Sequence, residues 1–136
     1  MVLPLKPIDK WLPVIFLICV RGCVYNTCIP PVSHAWGHAL VIGRGGTAVE
    51  ELKDYATLLL PAGHAQIEDA LASLKISGKL RLSETERTTL VTQIQAIAAF
   101  AEQHRSCLVE LDVYPIILDT AGRATAVDAL LRLAQE

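Results

Sequence analysis

Apolar positions recur with a helical period in two stretches of this chain and with a strand period in several others. Two short apolar runs are typical of buried strands. One covers residues 39–43 and ends at a glycine, and the other covers 56–60 and is followed by a proline. Across 64–75 and 84–104 apolar residues recur every three or four positions, which predicts two helices with one apolar face each. The predicted apolar faces are Ile67, Ala70, Leu71 and Leu74 in the first helix and Leu90, Val91, Ile94, Ile97, Ala98 and Ala101 in the second.

The C-terminal part alternates with the period of two that is typical of a β-hairpin. Polar residues Glu110, Asp112 and Tyr114 alternate with apolar ones in a predicted strand over 107–119, and 120–123 form a predicted turn. Residues 124–129 are then expected to return as the second strand. Antiparallel pairing about this turn joins residues whose numbers sum to about 242, which places Asp128 opposite Tyr114 and close to Asp112.

The order of these elements predicts the fold class. Strands, two helices and a final hairpin indicate an α/β fold, in which a mixed sheet carries two helices packed on one face and a C-terminal β-hairpin. On the hairpin, carboxylates that lie close together repel one another unless they face water, one of them is protonated, or a cation lies between them. The residues alone therefore leave two interpretations, a solvated polar face or a magnesium site.

Composition narrows the function classes and separates the first 35 residues from the rest. The chain has 136 residues, 52% of them hydrophobic, and a net charge of −2, which suits one domain and argues against a nucleic-acid surface. Residues 1–35 carry a small positive charge and most of the prolines and cysteines. We expect 1–35 to be an atypical segment, disordered or non-native, and 36–136 to be the folded part. A membrane location is not expected.

The apolar run at 11–20 allows two interpretations. It has the length of a signal-peptide core behind two lysines, but it is too short to span a membrane as a helix. The alternative is a buried strand. Among the scattered histidines, His38 precedes a predicted strand, and we expect it at the surface or in a turn rather than as a phosphate carrier.

Several motifs in succession resemble one known family. They are GRGGTAVEELKD at 43–54, LLLP at 58–61, the helical pair, VELDVYPII at 109–117 and GRATAVDALLRL at 122–133. In this order they resemble the C-terminal half of the ATP-grasp module of NDP-forming acyl-CoA synthetases, the relatives of the succinyl-CoA synthetase β subunit. The resemblance covers about 35–135, roughly three quarters of the chain.

The resemblance implies an activity and its cofactors. Such synthetases join an acid to CoA, or run the reverse reaction, by phosphoryl transfer with Mg²⁺ and ATP or ADP. The implied partner is the CoA-binding and histidine-carrier domain or subunit of the same synthetase, and the implied location is the cytoplasm. The nucleotide-binding first half of the module is not recognisable in 1–35, so we expect little or no ligase activity from this chain alone.

The resemblance also implies roles for single residues. Asp128 of AVDA matches a magnesium ligand, and Asp112 matches the carboxylate beside the other ligand, whose usual asparagine is Tyr114 here. In the GG-x-x-VE motif, Gly45 and Gly46 would approach the nucleotide phosphates, and Arg44 beside them would contact a phosphate. Glu50 of the same motif is the implied catalytic residue, lining the phosphate-transfer region.

Two other functions are compatible with the same residues. The first is a non-catalytic interaction module whose apolar strand edges pair with a partner chain. The second is the ATP-grasp part of a protein lysine acetyltransferase, because such enzymes carry a similar module.

Overall fold

The computed structural model describes residues 14–22, 37–44, 54–75, 82–119 and 121–134. These residues form six strands and two helices. In chain order they are β1 (Val14–Gly22), β2 (His38–Arg44), β3 (Tyr55–Leu59), α1 (His64–Ser73), α2 (Glu84–Gln103), β4 (Leu108–Leu118), β5 (Ala124–Ala126) and β6 (Ala129–Leu133). The predicted class is confirmed, and the two helices and the first strand of the hairpin lie close to their predicted bounds.

The strands form one sheet in the order β3-β2-β1-β4, and both β5 and β6 pair with the far side of β4. All five described pairings are antiparallel, which corrects the expectation of a mixed sheet. Two helices in succession between β3 and β4 return the chain to the end of the sheet where β3 stopped, so β4 runs antiparallel to β3.

Strand β1 lies in the middle of the sheet, between β2 and β4. Ile18 and Val20 are fully buried in the core, which confirms the buried-strand interpretation at these positions of the apolar run. The remaining residues of 1–35 lie outside the described residues, and the domain boundary at 35 stays a prediction. Neither helix in the described part of the chain is long and apolar enough to cross a membrane.

Both helices pack on one face of the sheet through their predicted apolar faces. Ile67 and Leu71 of α1 are buried, and so are Leu90 and Ile94 of α2, in one cluster with core residues of β1, β2 and β4. The predicted capping box begins α2, because the Ser83 amide donates to Glu86 Oε2 at 2.7 Å and the Glu86 amide donates to Ser83 Oγ at 3.2 Å.

The second strand of the hairpin is broken in two, where the sequence predicted one strand over 124–129. At the break the Val127 amide donates to Pro115 O at 2.9 Å, and the Tyr114 amide donates to Asp128 O at 3.1 Å. Pro115 has no N–H to donate, so a regular ladder is not possible opposite it. The chain therefore leaves the ladder after β5 and rejoins it as β6.

Asp119 organises the turn between β4 and β5. Its Oδ1 accepts the amides of Ala121 and Arg123, both at 2.9 Å, and its Oδ2 accepts Arg123 Nε at 2.7 Å. Gly122 has a φ of 79°, the left-handed conformation that the last residue of a three-residue hairpin loop requires. The hydrogen bonds from the Arg123 amide and guanidinium lower the pKa of Asp119 below its usual value.

We expect the Asp119 turn to make the stability of the fold sensitive to acid. Because the pKa of Asp119 is lower in the folded state, its contribution is present above the unfolded pKa and is lost as the pH falls through the folded pKa. Melting temperatures measured from neutral pH downward should therefore drop more steeply for the wild type than for Asp119→Asn. The two curves should converge in acid; parallel curves would contradict the prediction.

Candidate functional site

The two faces of the sheet carry different side chains. Leu111 and Val113 of β4 point into the core under the helices. Glu110, Asp112 and Tyr114 alternate with them and therefore lie on the other side. We call this side the open face, and on β4 it consists of Glu110, Asp112 and Tyr114.

The register of the hairpin brings Asp128 to the open face. Ile116 pairs with Ala126, and Val113 pairs with Ala129, so the numbers in each pair sum to the predicted value. The hydrogen bond from the Tyr114 amide to Asp128 O continues this register. Directly opposed residues of an antiparallel pair share a face. Asp128 thus lies opposite Tyr114 and diagonal to Asp112, as the sequence predicted.

Two carboxylates on diagonal neighbours could share one cation. Diagonal neighbours of a regular antiparallel pair lie about 7–8 Å apart, a separation that two aspartate side chains can span through one Mg²⁺ ion. Asp128 is exposed, with its Oδ1 accepting the Ala129 amide at 2.8 Å, and Asp112 is half-buried. The described residues contain no group of three or more potential metal ligands, so water and phosphate oxygens would complete the coordination.

Tyr114 lies beside both aspartates, opposite Asp128 and two positions along β4 from Asp112, and it is 39% exposed. A neutral phenol is a weaker magnesium ligand than a carboxylate or an amide oxygen. The two carboxylates therefore supply the charge of this candidate site.

An ion pair between a buried glutamate and an exposed arginine links β6 to β4 beside the aspartates. Glu110 is only 7% exposed, and its Oε2 lies 3.2 Å from Nη2 of Arg132 on β6. Arg132 was not among the residues predicted to take part in this site. The residue numbers of Glu110 and Arg132 have the same sum as those of the other hairpin pairs. The predicted register therefore already placed these two residues opposite each other.

Replacing Arg132 by alanine should destabilise the hairpin. The Glu110 carboxylate would stay buried without its guanidinium partner, and we expect a loss of about 1–2 kcal/mol in the free energy of unfolding, because Arg132 itself is largely exposed. Denaturant unfolding measures the loss, with the exposed Arg87→Ala on α2 as control. In the double variant with Glu110→Gln the two losses should be less than additive, whereas full additivity would contradict the pairing.

The residues of the glycine motif are placed only in part. Arg44 ends β2, and its amide donates to Asp54 O at 3.0 Å. By alternation with Leu40 and Ile42 it belongs to the helix side of the sheet. Strand β1 separates β2 from β4, which puts Arg44 about 10 Å from β4. The structure does not bring Arg44 beside the aspartates, and Gly45, Gly46 and Glu50 lie outside the described residues.

Asp54 of the same motif has a structural contact that the sequence did not indicate. Its Oδ1 accepts the amide of Lys75 at 2.7 Å. This bond joins the residue before β3 to the chain just after α1. It therefore holds Asp54, the last residue of the segment between β2 and β3, against the end of α1.

His38 is buried, which corrects the expectation of a surface or turn histidine. It begins β2 with 4% of its surface exposed, and its Nε2 donates to Leu108 O at 2.8 Å. The carbonyl partner sets the tautomer, since a carbonyl only accepts. His38 thus links the start of β2 to the start of β4, across β1, and it lies among apolar residues rather than on the open face.

Comparison with known proteins identifies a matching family. The family model described as "ATP-grasp domain" matches residues 33–133. A comparison with curated proteins finds no match.

Solved structures have the same fold. PH1788 from Pyrococcus horikoshii Ot3 is 22% identical, with a TM-score of 0.76 over 97% of this chain and 51% of its own. The dinucleotide forming acetyl-coenzyme A synthetase 1 of Ca. Korarchaeum cryptofilum, in complex with coenzyme A and Mg-AMPPCP, is 18% identical, with a TM-score of 0.68 over 89% of this chain and 53% of its own. This chain thus spans about half the length of the structures that it matches.

Proposed function

Because this chain belongs to the ATP-grasp domain family, we propose that its open face holds the magnesium-bound phosphates of a nucleotide in an NDP-forming acyl-CoA synthetase. The observation that supports this most directly is the register that places Asp112 and Asp128 on one face, diagonal to each other. A solved structure of the same fold contains Mg-AMPPCP and coenzyme A, which agrees with this choice of ligands.

The proposed roles follow from the positions of the residues. Asp128 and Asp112 would hold the magnesium ion, which neutralises phosphate charge when it is bound. Gly45 and Gly46, after the end of β2, would let the backbone approach the phosphates. Arg44 ends β2 on the helix side of the sheet, so its side chain is given no phosphate contact on the open face. Glu50 is the proposed catalytic residue of the same motif.

The complete reaction requires parts that we assign to other polypeptide. The chain spans about half the length of its structural neighbours, one of which is described with a phosphohistidine segment that points towards its nucleotide binding site. We therefore propose a CoA-binding and histidine-carrier domain or subunit as the partner, and a cytoplasmic location where ATP and CoA are available.

The chain on its own should show little or no ligase activity. The reason is that the proposed site supplies metal and phosphate contacts, whereas the CoA site and the histidine carrier are assigned here to the partner domain or subunit. A coupled assay for CoA-thioester formation with acetate, propionate and aromatic acids measures this. Turnover by the purified chain would contradict the prediction.

Binding distinguishes the proposal from its main alternative. An interaction module derived from this fold would leave the open face solvated, and the exposed apolar strand β6 supports that alternative. Calorimetric titration of a non-hydrolysable ATP analogue, with and without Mg²⁺, decides between them. Saturable binding that requires Mg²⁺ supports the proposed function, and its absence favours the interaction module.

A further inference from the structure

The open face of the hairpin is rich in carboxylates. Glu110, Asp112 and Asp128 all lie there, and the two aspartates together balance the positive charge of one magnesium ion. Phosphates that bind the same ion bring negative charge of their own. A phosphate site at this place therefore needs a further cation within reach of the aspartates.

Two arginines are the only residues with a permanent positive charge between 108 and 133. Arg123 is bound to Asp119 in the turn, with its Nε 2.7 Å from Oδ2 of that carboxylate. Arg132 lies on β6, in register with Glu110, and therefore belongs to the open face. Within the hairpin, Arg132 is thus the cation that shares a face with the two aspartates.

The register brings Arg132 close to the proposed metal position. Asp112 pairs with Leu130, and Glu110 pairs with Arg132. Arg132 is therefore the diagonal neighbour of Asp112 on one side, as Asp128 is on the other. Diagonal neighbours lie about 7–8 Å apart, a separation that a long side chain spans. A phosphate on a magnesium ion between the aspartates lies within reach of the Arg132 guanidinium.

Glu110 holds this guanidinium without covering it. Its Oε2 lies 3.2 Å from Arg132 Nη2, whereas 63% of the Arg132 side chain is exposed. A guanidinium carries several N–H donors in one plane, so an ion pair at one Nη leaves donors for phosphate oxygens. The ion pair also restricts the rotamers of the arginine. A side chain that is already ordered loses less entropy when it binds a ligand.

We propose that Arg132 is a phosphate-binding residue, whose guanidinium donates hydrogen bonds to a magnesium-bound phosphate of the nucleotide on the open face. The inference rests on the proposed function, which supplies the ligand and the position of the metal ion. It gives the ion pair with Glu110 a second role, because the pair orients the guanidinium as well as linking β6 to β4. The same guanidinium repels a metal ion that binds without phosphate.

Two titrations test the proposal, because they respond to the guanidinium in opposite ways. With Mg²⁺ and a non-hydrolysable ATP analogue, calorimetry should show at least tenfold weaker binding for Arg132→Gln, which lacks both the donors and the charge. Mn²⁺ without nucleotide, followed by electron paramagnetic resonance, should bind Arg132→Gln at least as tightly as the wild type. Arg87→Gln, the same charge change at an exposed arginine of α2, should leave both affinities unchanged.

A double variant separates ligand binding from folding. Glu110→Gln combined with Arg132→Gln removes both charges of the ion pair, so no buried carboxylate is left without its partner and the net charge stays the same. With the fold checked by circular dichroism, this variant should also bind the ATP analogue at least tenfold more weakly than the wild type.

Three outcomes would overturn the proposal, and they have different meanings. Wild-type affinity for the ATP analogue in either folded variant would overturn the role of Arg132 and leave the proposed function standing. Equal losses for the analogue and for Mn²⁺ alone would show that Arg132 acts only by holding β6 in place. A wild type without magnesium-dependent binding of the analogue would overturn the proposed function, and the phosphate contact with it.

Discussion

Replacing Asp128 by asparagine should weaken magnesium-dependent nucleotide binding at least tenfold. The substitution keeps the size of the side chain and its acceptor for the Ala129 amide, but it removes one of the two negative charges that the register brings together. A divalent ion held by two carboxylates depends strongly on each of them, because amide oxygens are weaker ligands for it. Calorimetric titration of the wild type and of Asp128→Asn with a non-hydrolysable ATP analogue in the presence of Mg²⁺ gives the affinity of each protein.

The control for this experiment is another exposed aspartate. Asp69 lies on the surface of α1, so Asp69→Asn lowers the net negative charge equally without touching the open face. If both variants lost affinity alike, the effect would be one of overall charge. If Asp128→Asn bound like the wild type, the assignment of Asp128 as a magnesium ligand would be wrong.

Replacing Ile94 by alanine should lower the free energy of unfolding by about 3–4 kcal/mol. Ile94 is fully buried near the middle of α2, in the cluster that joins both helices to the sheet. The loss has two parts, the transfer free energy of the deleted methyl and methylene groups and the cavity that they leave behind. Alanine is a better helix former than isoleucine, so lost packing and not helix propensity accounts for the effect.

Urea unfolding followed by circular dichroism measures this loss. Gln93→Ala is the matched control, because Gln93 precedes Ile94 on the exposed side of the same helix and should change stability by less than about 0.5 kcal/mol. A similar small change for Ile94→Ala would mean that α2 does not pack on the sheet as described.

The local elements of this fold were predictable because their signals lie within a few residues. The apolar face of α2, its capping box at Ser83 and the register of the hairpin all follow from spacing along the chain. The same register predicted that Asp112 and Asp128 would share a face. The motif resemblance predicted the ATP-grasp family, which the match over residues 33–133 confirms.

Other features depended on partners distant in sequence. Asp54 receives the amide of Lys75, and His38 donates to the carbonyl of Leu108, seventy positions away. A spacing rule cannot anticipate such contacts, because they form only after the strands have been ordered in the sheet. The break between β5 and β6 could be predicted only with the register known. Pro115 interrupts the ladder on β4, and the strand that it affects comes after the turn.

The sequence by itself determined the helices, the turn of the hairpin and the register that sets Asp128 diagonal to Asp112, because side-chain periodicity and turn chemistry act locally. Tertiary structure alone decided that Val14–Gly22 becomes the central strand, that every described pairing is antiparallel, and that the leucines of β6 lie exposed in the described part of the chain. These outcomes depend on which strands become neighbours and on where the helix layer ends. Both are set by packing between distant segments, which hydrophobic periodicity within one segment does not encode.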